Sequence, residues 1–285
     1  MHIDTGRPCS QPAARILGLI ALLSIVGGCG TLPTFTDAFP HQDSGPLRPI
    51  DVTSIPDAIP KGESPSKYGN PPSYIVDGKR YYVLATSAGY TKRGIASWYG
   101  TKFHGNRTSS GEPYDMYAMT AAHKTLPLPT YAEVTNLLNG QKVIVKINDR
   151  GPFKDNREID LSYAAATKLG FADTGTGIIE LRAIDPATFH ADAGTDVGTR
   201  ARPLSQHNPD LYLQIGAFSD RSNAERLISR LSTITPRNTP ISLEKDETTP
   251  LYRVRIGPIR NVDEADRMSQ ELALFGVGDA HIVID

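Results

Sequence analysis

Asp149 ends the apolar stretch Val143-Ile144-Val145-Lys146-Ile147-Asn148 and opens the turn Asp149-Arg150-Gly151-Pro152-Phe153. A carboxylate and a guanidinium at a strand mouth stand where small-ligand chemistry is usually placed. A carboxyl group held there can give or take a proton near neutral pH when its surroundings tune it. Two further polar groups have comparable settings: Glu112 on the turn Gly111-Glu112-Pro113, and His123 in Ala121-Ala122-His123-Lys124. Each also has a purely structural account. Asp149 can cap its own turn or pair with Arg150. Glu112 alone is an exposed turn acid, and His123 alone a hydrogen-bonded structural histidine. No His/Cys cluster has metal-ligand spacing, and neither a phosphate-cradling glycine loop nor a nucleophile elbow occurs, so no metal or other cofactor is expected.

The elements that must position these groups are short strands. Alternating apolar residues predict strands at 94–99, 117–121, 131–137, 142–147 and 178–184, after a hairpin over 74–84 whose turn is Asp77-Gly78. One helix interrupts them, with Ser162 as N-cap, Leu161, Ala165 and Leu169 on one face, and Gly170 closing it. Short strands with one helix in about 110 residues predict a small closed barrel over 74–185 rather than a doubly wound sheet. Residues 186–209 are polar and turn-rich and read as a linker. Residues 210–285 follow the order βαββαβ, an α+β arrangement with two helices on one face of an antiparallel sheet. Its helices are expected to start at two capping boxes, Ser222-Asn223-Ala224-Glu225 and Asn261 with Glu264.

At 285 residues the chain has room for about two domains. A net charge of -1 is no electrostatic footprint for nucleic acid. Arg7 and Arg15 precede an apolar run over 16–26, and then come Gly27, Gly28 and Cys29. That is the plan of a signal peptide over 1–28, too short for an ordinary membrane span. Val26-Gly27-Gly28-Cys29 resembles the bacterial lipobox, which implies acylation of Cys29, a membrane anchor and a disulfide-free mature chain. Gly30, standing where an inner-membrane retention signal would have Asp, favours the outer membrane, facing the periplasm. Residues 29–73, rich in Pro, Ser, Gly and Asp without a sustained period, read as a disordered tether.

Five motifs occur in fixed order: Gly94-Ile95-Ala96-Ser97-Trp98-Tyr99-Gly100, Thr108-Ser109-Ser110-Gly111-Glu112, Ala121-Ala122-His123-Lys124-Thr125-Leu126-Pro127, Asn148-Asp149-Arg150-Gly151-Pro152-Phe153 and Ile159-Asp160-Leu161-Ser162. Together they resemble the rare lipoprotein A family, whose domain is a double-psi β-barrel. The resemblance implies a peptidoglycan lytic transglycosylase that cuts the MurNAc–GlcNAc β-1,4 bond and leaves a 1,6-anhydro-muramyl end. It also implies Glu112, His123 and Asp149 as active-site positions. The chemistry suits them: a glycosidic oxygen needs an acid, and the oxocarbenium-like transition state needs a second polar group. Asp149 is the expected acid and then base, Glu112 the charge-stabilising carboxylate, and His123 the group that holds Asp149 or a sugar hydroxyl. Tyr99 is expected in the groove with Arg150, Trp98 partly buried, and Asp160 bracing the barrel.

In the second domain, Gln214-Ile215-Gly216-Ala217-Phe218, Asn223-Ala224 and Tyr252-Arg253-Val254-Arg255-Ile256-Gly257-Pro258 resemble the SPOR repeat. That family binds glycan strands stripped of stem peptides at the division septum. Strand alternation places Gln214, Gly216 and Phe218 opposite Ile215 and Ala217. With Arg253 and Arg255 they are the expected glycan contacts. Amidases acting upstream and division proteins are the expected protein partners. A non-cleaving glycan binder or a division adaptor remains the alternative to an enzyme.

Overall fold

The computed structural model describes residues 43–48, 51–189, 209–235, 239–246, 249–278 and 280–285. The segment expected as a signal peptide, Cys29 and most of the expected linker lie outside them. The first two strands, β1 (Ser73–Val76) and β2 (Lys79–Tyr82), pair antiparallel across Asp77 and Gly78. Both turn residues have positive φ, 48° and 78°, as this tight hairpin requires.

The barrel strands are β3 (Thr91–Tyr99), β4 (Thr120–His123), β5 (Thr130–Asn136), β6 (Lys142–Asp149), β7 (Ile159–Ser162) and β8 (Thr176–Ile184). They close in the order β3-β7-β4-β6-β5-β8. The β3/β7 and β4/β6 pairs are parallel and the remaining pairs antiparallel. This is the expected double-psi β-barrel. Ala96, Ala121, Val145, Ile147, Leu161 and Ile179 are among the side chains that fill it. Helix α1 (Tyr163–Lys168) starts at Ser162, whose Oγ accepts the Ala165 N–H. Leu161, expected on that helix, lies instead in β7, a strand too short for its period to be read.

The segment expected as a tether is docked where it is described. Asp57 accepts a hydrogen bond from Ile144 N at 3.0 Å, and Ala58 N donates to Ile144 O at 3.0 Å. The segment thus occupies the edge of β6 that β4, whose pairing begins at Lys146, leaves open. It explains why Val143, Ile144 and Val145 are all buried, where strand alternation exposes every second residue. Val52 joins the barrel core, Asp57 pairs with Lys168 of α1 at 3.0 Å, and Asn70 clasps both backbone groups of Leu128.

The C-terminal domain comprises β9 (Leu211–Phe218), α2 (Arg221–Ile234), β10 (Ile241–Lys245), β11 (Tyr252–Ile259), α3 (Val262–Leu274) and β12 (His281–Ile284). The sheet order is β10-β11-β9-β12, antiparallel throughout. Asn261 caps α3 by accepting from Glu264 N, as expected. Helix α2 is capped by Asp220, which accepts from Ser222 N, so the box placed at Ser222 begins two residues late. The two domains touch. Arg157 of the barrel reaches Asp266 of α3 at 2.6 Å, Asn156 accepts from Ile282 N at 3.2 Å, and Ile95 and Ile178 join the apolar cluster containing Leu211 and Val262.

Candidate active site

Both candidate carboxylates are fastened at the end of β6 by one loop. Asp149 is the last residue of that strand. Its Oδ1 accepts three hydrogen bonds, each 2.7 Å long, from Ser109 N, Ser109 Oγ and Arg150 N. The loop 108–112 closes on itself through Thr108 N to Glu112 O at 2.8 Å and Gly111 N to Thr108 O at 2.9 Å. It is tied to β6 by Ser110 N donating to Asn148 O at 3.2 Å. Gly111 (φ 95°) and Gly151 (φ 137°) allow the two turns that present the acids.

Glu112 receives Lys146 Nζ on Oε1 at 2.8 Å and Asn148 Nδ2 on Oε2 at 2.7 Å. Partial burial pushes its pKa up, but these two donors and the lysine charge outweigh that and hold it below the usual carboxylate range. Glu112 is therefore ionised at neutral pH, the state in which a carboxylate can stabilise a developing cation. Its side chain keeps 46% exposure, so a ligand can reach it. Beside it a cavity of about 700 Å3 lies between the docked segment and the barrel, lined in part by Ala58, Lys61, Glu63, Thr120, Tyr131 and Lys146.

Arg150 does not pair with the Asp149 carboxylate. Its guanidinium is spent on backbone carbonyls and one amide: Gly69 O at 2.8 Å, His123 O at 3.1 Å, Leu126 O at 2.5 Å and Asn70 Oδ1 at 3.1 Å. It is a strut that binds the turn carrying Asp149 to the docked segment and to the loop after β4. His123 is brought near through its backbone only. Its side chain is 3% exposed, so it neither holds Asp149 nor meets a sugar hydroxyl as expected. Nδ1 accepts from Thr125 N at 3.1 Å and Leu126 N at 2.9 Å, which leaves the proton on Nε2, facing Glu158 at 3.3 Å and Tyr90 at 3.2 Å. Burial lowers its pKa, against the raising effect of Glu158. Tyr99 is also buried, stacked on Tyr114 at 3.9 Å, rather than lying in a groove. Trp98 is half-buried and donates to Ala172 O, and Asp160 accepts from Ser97 Oγ across the β3/β7 pair.

Ser109, Lys146 and Asn148 also contact the candidate acids; Ser109 and Asn148 lie within the quoted motifs but carry no expected role there, and neither does Lys146. Lys146 and Asn148 share a face of β6 by simple alternation, a signal that was available. Glu63, which also contacts Lys146, carries no sequence signal of its own.

In the C-terminal sheet, the register jumps between Val254, opposite Gly216, and Arg255, opposite Gln214. Ile215 is the extra residue of this β-bulge. The bulge reverses the expected facing beyond it. Gly216 and Phe218 lie on the helix side, with the Phe218 ring against Gly216 beside Leu227 of α2. Gln214, Arg253 and Arg255 share the face away from the helices. There Arg253 pairs with Asp246 and donates to Gln214, and Arg255 reaches Glu244 at 2.9 Å, Asp285 at 2.8 Å and the Tyr212 ring.

Comparison with known proteins places this geometry. Residues 91–182 match the family model described as lytic transglycolase, and residues 208–282 match that of the SPOR domain. The endolytic peptidoglycan transglycosylase RlpA of Pseudomonas aeruginosa (strain UCBPP-PA14) is 40% identical over 291 residues, covering 86% of this chain and 85% of that protein. The protein of the same name from Vibrio cholerae is 36% identical over 269 residues, covering 94% and 96%. The crystal structure of the RlpA SPOR domain from P. aeruginosa is 37% identical, covering 26% of this chain and 96% of that one, with a TM-score of 0.23. With a closed six-stranded barrel, a lytic transglycolase match and this likeness along most of its length, the chain belongs to the RlpA family of endolytic peptidoglycan transglycosylases.

Proposed function

We propose that this chain cuts the MurNAc–GlcNAc β-1,4 bond of peptide-free glycan strands inside the strand, leaving 1,6-anhydro-muramyl ends. The observation that carries the proposal is the pair of carboxylates fixed at one end of β6 by the loop 108–112. Asp149 protonates the bridging oxygen, and the same group then takes the proton of the C6 hydroxyl as that oxygen closes on C1. Its three donors all meet Oδ1, so the carboxyl group is held in one orientation. Glu112, kept ionised by Lys146 and Asn148, faces the positive charge that develops on the sugar ring. His123 contributes as a positioning residue, through the carbonyl that receives Arg150.

The C-terminal domain is the targeting part of the proposal, holding peptide-free glycan at the septum through Arg253 and Arg255, while Gln214, expected as a contact, is buried and supports that surface by accepting from Arg253. Gly216 and Phe218 support that surface from the helix side. Acylation at Cys29 anchors the chain to the outer membrane, facing the periplasm. Amidases that strip stem peptides act upstream.

The test is digestion of amidase-treated peptidoglycan by the purified chain, with products read by mass spectrometry. Anhydro-muramyl ends are expected. Asp149→Asn is expected to lower their rate of release by about 10³-fold while pull-down of glycan is unchanged. Pull-down without new ends identifies a binder instead.

A further inference from the structure

Lys146 is shared. Its Nζ lies 2.8 Å from Glu112 Oε1 and 3.2 Å from Glu63 Oε2. Glu63 comes from the segment ahead of the barrel, and its other oxygen accepts the hydroxyl of Tyr131 on β5. The lysine side chain is only 19% exposed, so water screens these contacts less than it would on an open surface. One ammonium thus bridges two carboxylates that would otherwise repel each other, and Tyr131 fixes the outer one. The groups facing Glu112 come from three elements: Lys146 and Asn148 of β6, Glu63 of the docked segment with Lys61 behind it, and the Tyr131 hydroxyl. On the loop itself, Arg107 donates to Gly111 O at 3.0 Å, beside Glu112.

We infer that Glu63 and Lys146 are positioning residues for Glu112, so that the segment ahead of the barrel is a working part of the active site. This rests on the reading of Glu112 as the charge-stabilising carboxylate. Lys146 fixes where the Glu112 carboxylate sits and keeps it ionised. Glu63 limits that effect by taking part of the same ammonium. The two neighbours therefore act on Glu112 with opposite sign: the lysine lowers its pKa and the Glu63 charge raises it.

That opposition supplies the test. Anhydro-end release by the full chain is measured against pH for Glu63→Gln, Lys146→Met and Lys146→Arg. Activity that needs ionised Glu112 is lost as pH falls through its pKa. Lys146→Met is expected to move that acid limb up by about one pH unit and to lower kcat about tenfold with a smaller change in KM. Lys146→Arg is expected to restore most of both. Glu63→Gln, whose amide oxygen still accepts from Tyr131, is expected to move the limb down by about half a pH unit. A merely structural role would lower activity by one factor at every pH and shift neither limb. Unshifted limbs, or limbs moving the same way in Glu63→Gln and Lys146→Met, overturn the inference. Should Lys146→Met fail to fold, the Glu63→Gln shift decides alone. Glu112→Gln separates the two levels. If it is inactive while the limbs stay put, only this inference fails. If it is fully active, the reading of Glu112 fails first.

Discussion

Ser109 shows how one residue ties the turn carrying Asp149 together. Its backbone N–H and hydroxyl both donate to Asp149 Oδ1, and its Oγ accepts from Arg150 N at 3.2 Å. Ser109→Ala keeps the backbone donor and removes the hydroxyl, so the carboxyl group is loosened but not released. The expected result is a kcat about tenfold lower with KM little changed, since a single hydrogen bond to a charged group contributes roughly 1.5–3 kcal/mol. Rates of anhydro-end release at saturating glycan check this, and an unaltered kcat counts against the role given to Asp149. A second expectation concerns stability. Glu158 is buried, but its hydrogen bonds from His123, Lys92 and Tyr90 and the Lys92 charge outweigh that cost and hold its pKa at about 2. Its contribution is then complete above the unfolded pKa near 4.5 and is lost as pH falls towards 2, at full extent roughly 3 kcal/mol. His123, whose pKa is lowered by burial, adds a loss of the same sign that begins as pH falls below 6.5, where the unfolded chain binds a proton first. The melting temperature is therefore expected to be steady above neutrality, to fall below about pH 6.5 and to fall further below about 4.5. His123→Gln should remove the upper step and also shrink the lower one, because it takes a hydrogen bond away from Glu158.

Strands whose alternation meets a core were legible from the sequence, and so was the Asp77-Gly78 hairpin. The elements that were not legible had physical reasons to be silent. Strand β7 has four residues, too few for a period, and it runs straight into the helix that Ser162 caps. Asp220 and Ser222 are both good capping residues, so composition could not rank them. The bulge at Ile215 inserts a residue without any change in hydrophobic pattern, yet it moves Phe218 to the helix side. The docked segment is the largest omission, because it makes its contacts singly, with Asp57, Glu63 and Asn70 each meeting a different partner. Of the candidate site, the motifs contain Glu112 and Asp149 and also Ser109 and Asn148, but which side chain holds which acid depends on how the loop folds onto β6, and that is not written in the order of the residues. Asp57 tests the segment as an element. Asp57→Ala removes the acceptor of Ile144 N and the partner of Lys168. The expected cost is about 2 kcal/mol, seen as a fall in Tm of roughly 4–8 °C, with the far-ultraviolet spectrum unchanged. A Tm within a degree of the parent's would show that the segment does not grip β6.

At the scale of the whole molecule, the barrel and the C-terminal domain meet around a buried cation. The Arg157 side chain is 2% exposed and makes two hydrogen bonds to Asp266, at 3.2 and 2.6 Å. Beyond those, among the described residues its guanidinium reaches only the carbonyl of its neighbour Asn156, at 3.4 Å, and its Nε has no partner there. A guanidinium so placed depends on one carboxylate from the other domain. Asp266→Ala leaves the charge buried and unpaired, at an expected cost of about 3–5 kcal/mol. That cost falls on the contact rather than on either core, because Leu213, Leu231 and Ile256 of one domain and Val145, Ile147 and Leu161 of the other are untouched. Calorimetry of the parent chain should therefore show one cooperative transition, and that of Asp266→Ala two, with the C-terminal domain melting first. Replacing both partners, Arg157→Met with Asp266→Leu, should bring the transitions together again, since an apolar pair carries no desolvation penalty. Two transitions in the parent chain would mean that the domains unfold independently despite the contact. A single transition in all three chains, at one temperature, would mean that Arg157 is hydrated in solution and the domains are joined by the chain alone.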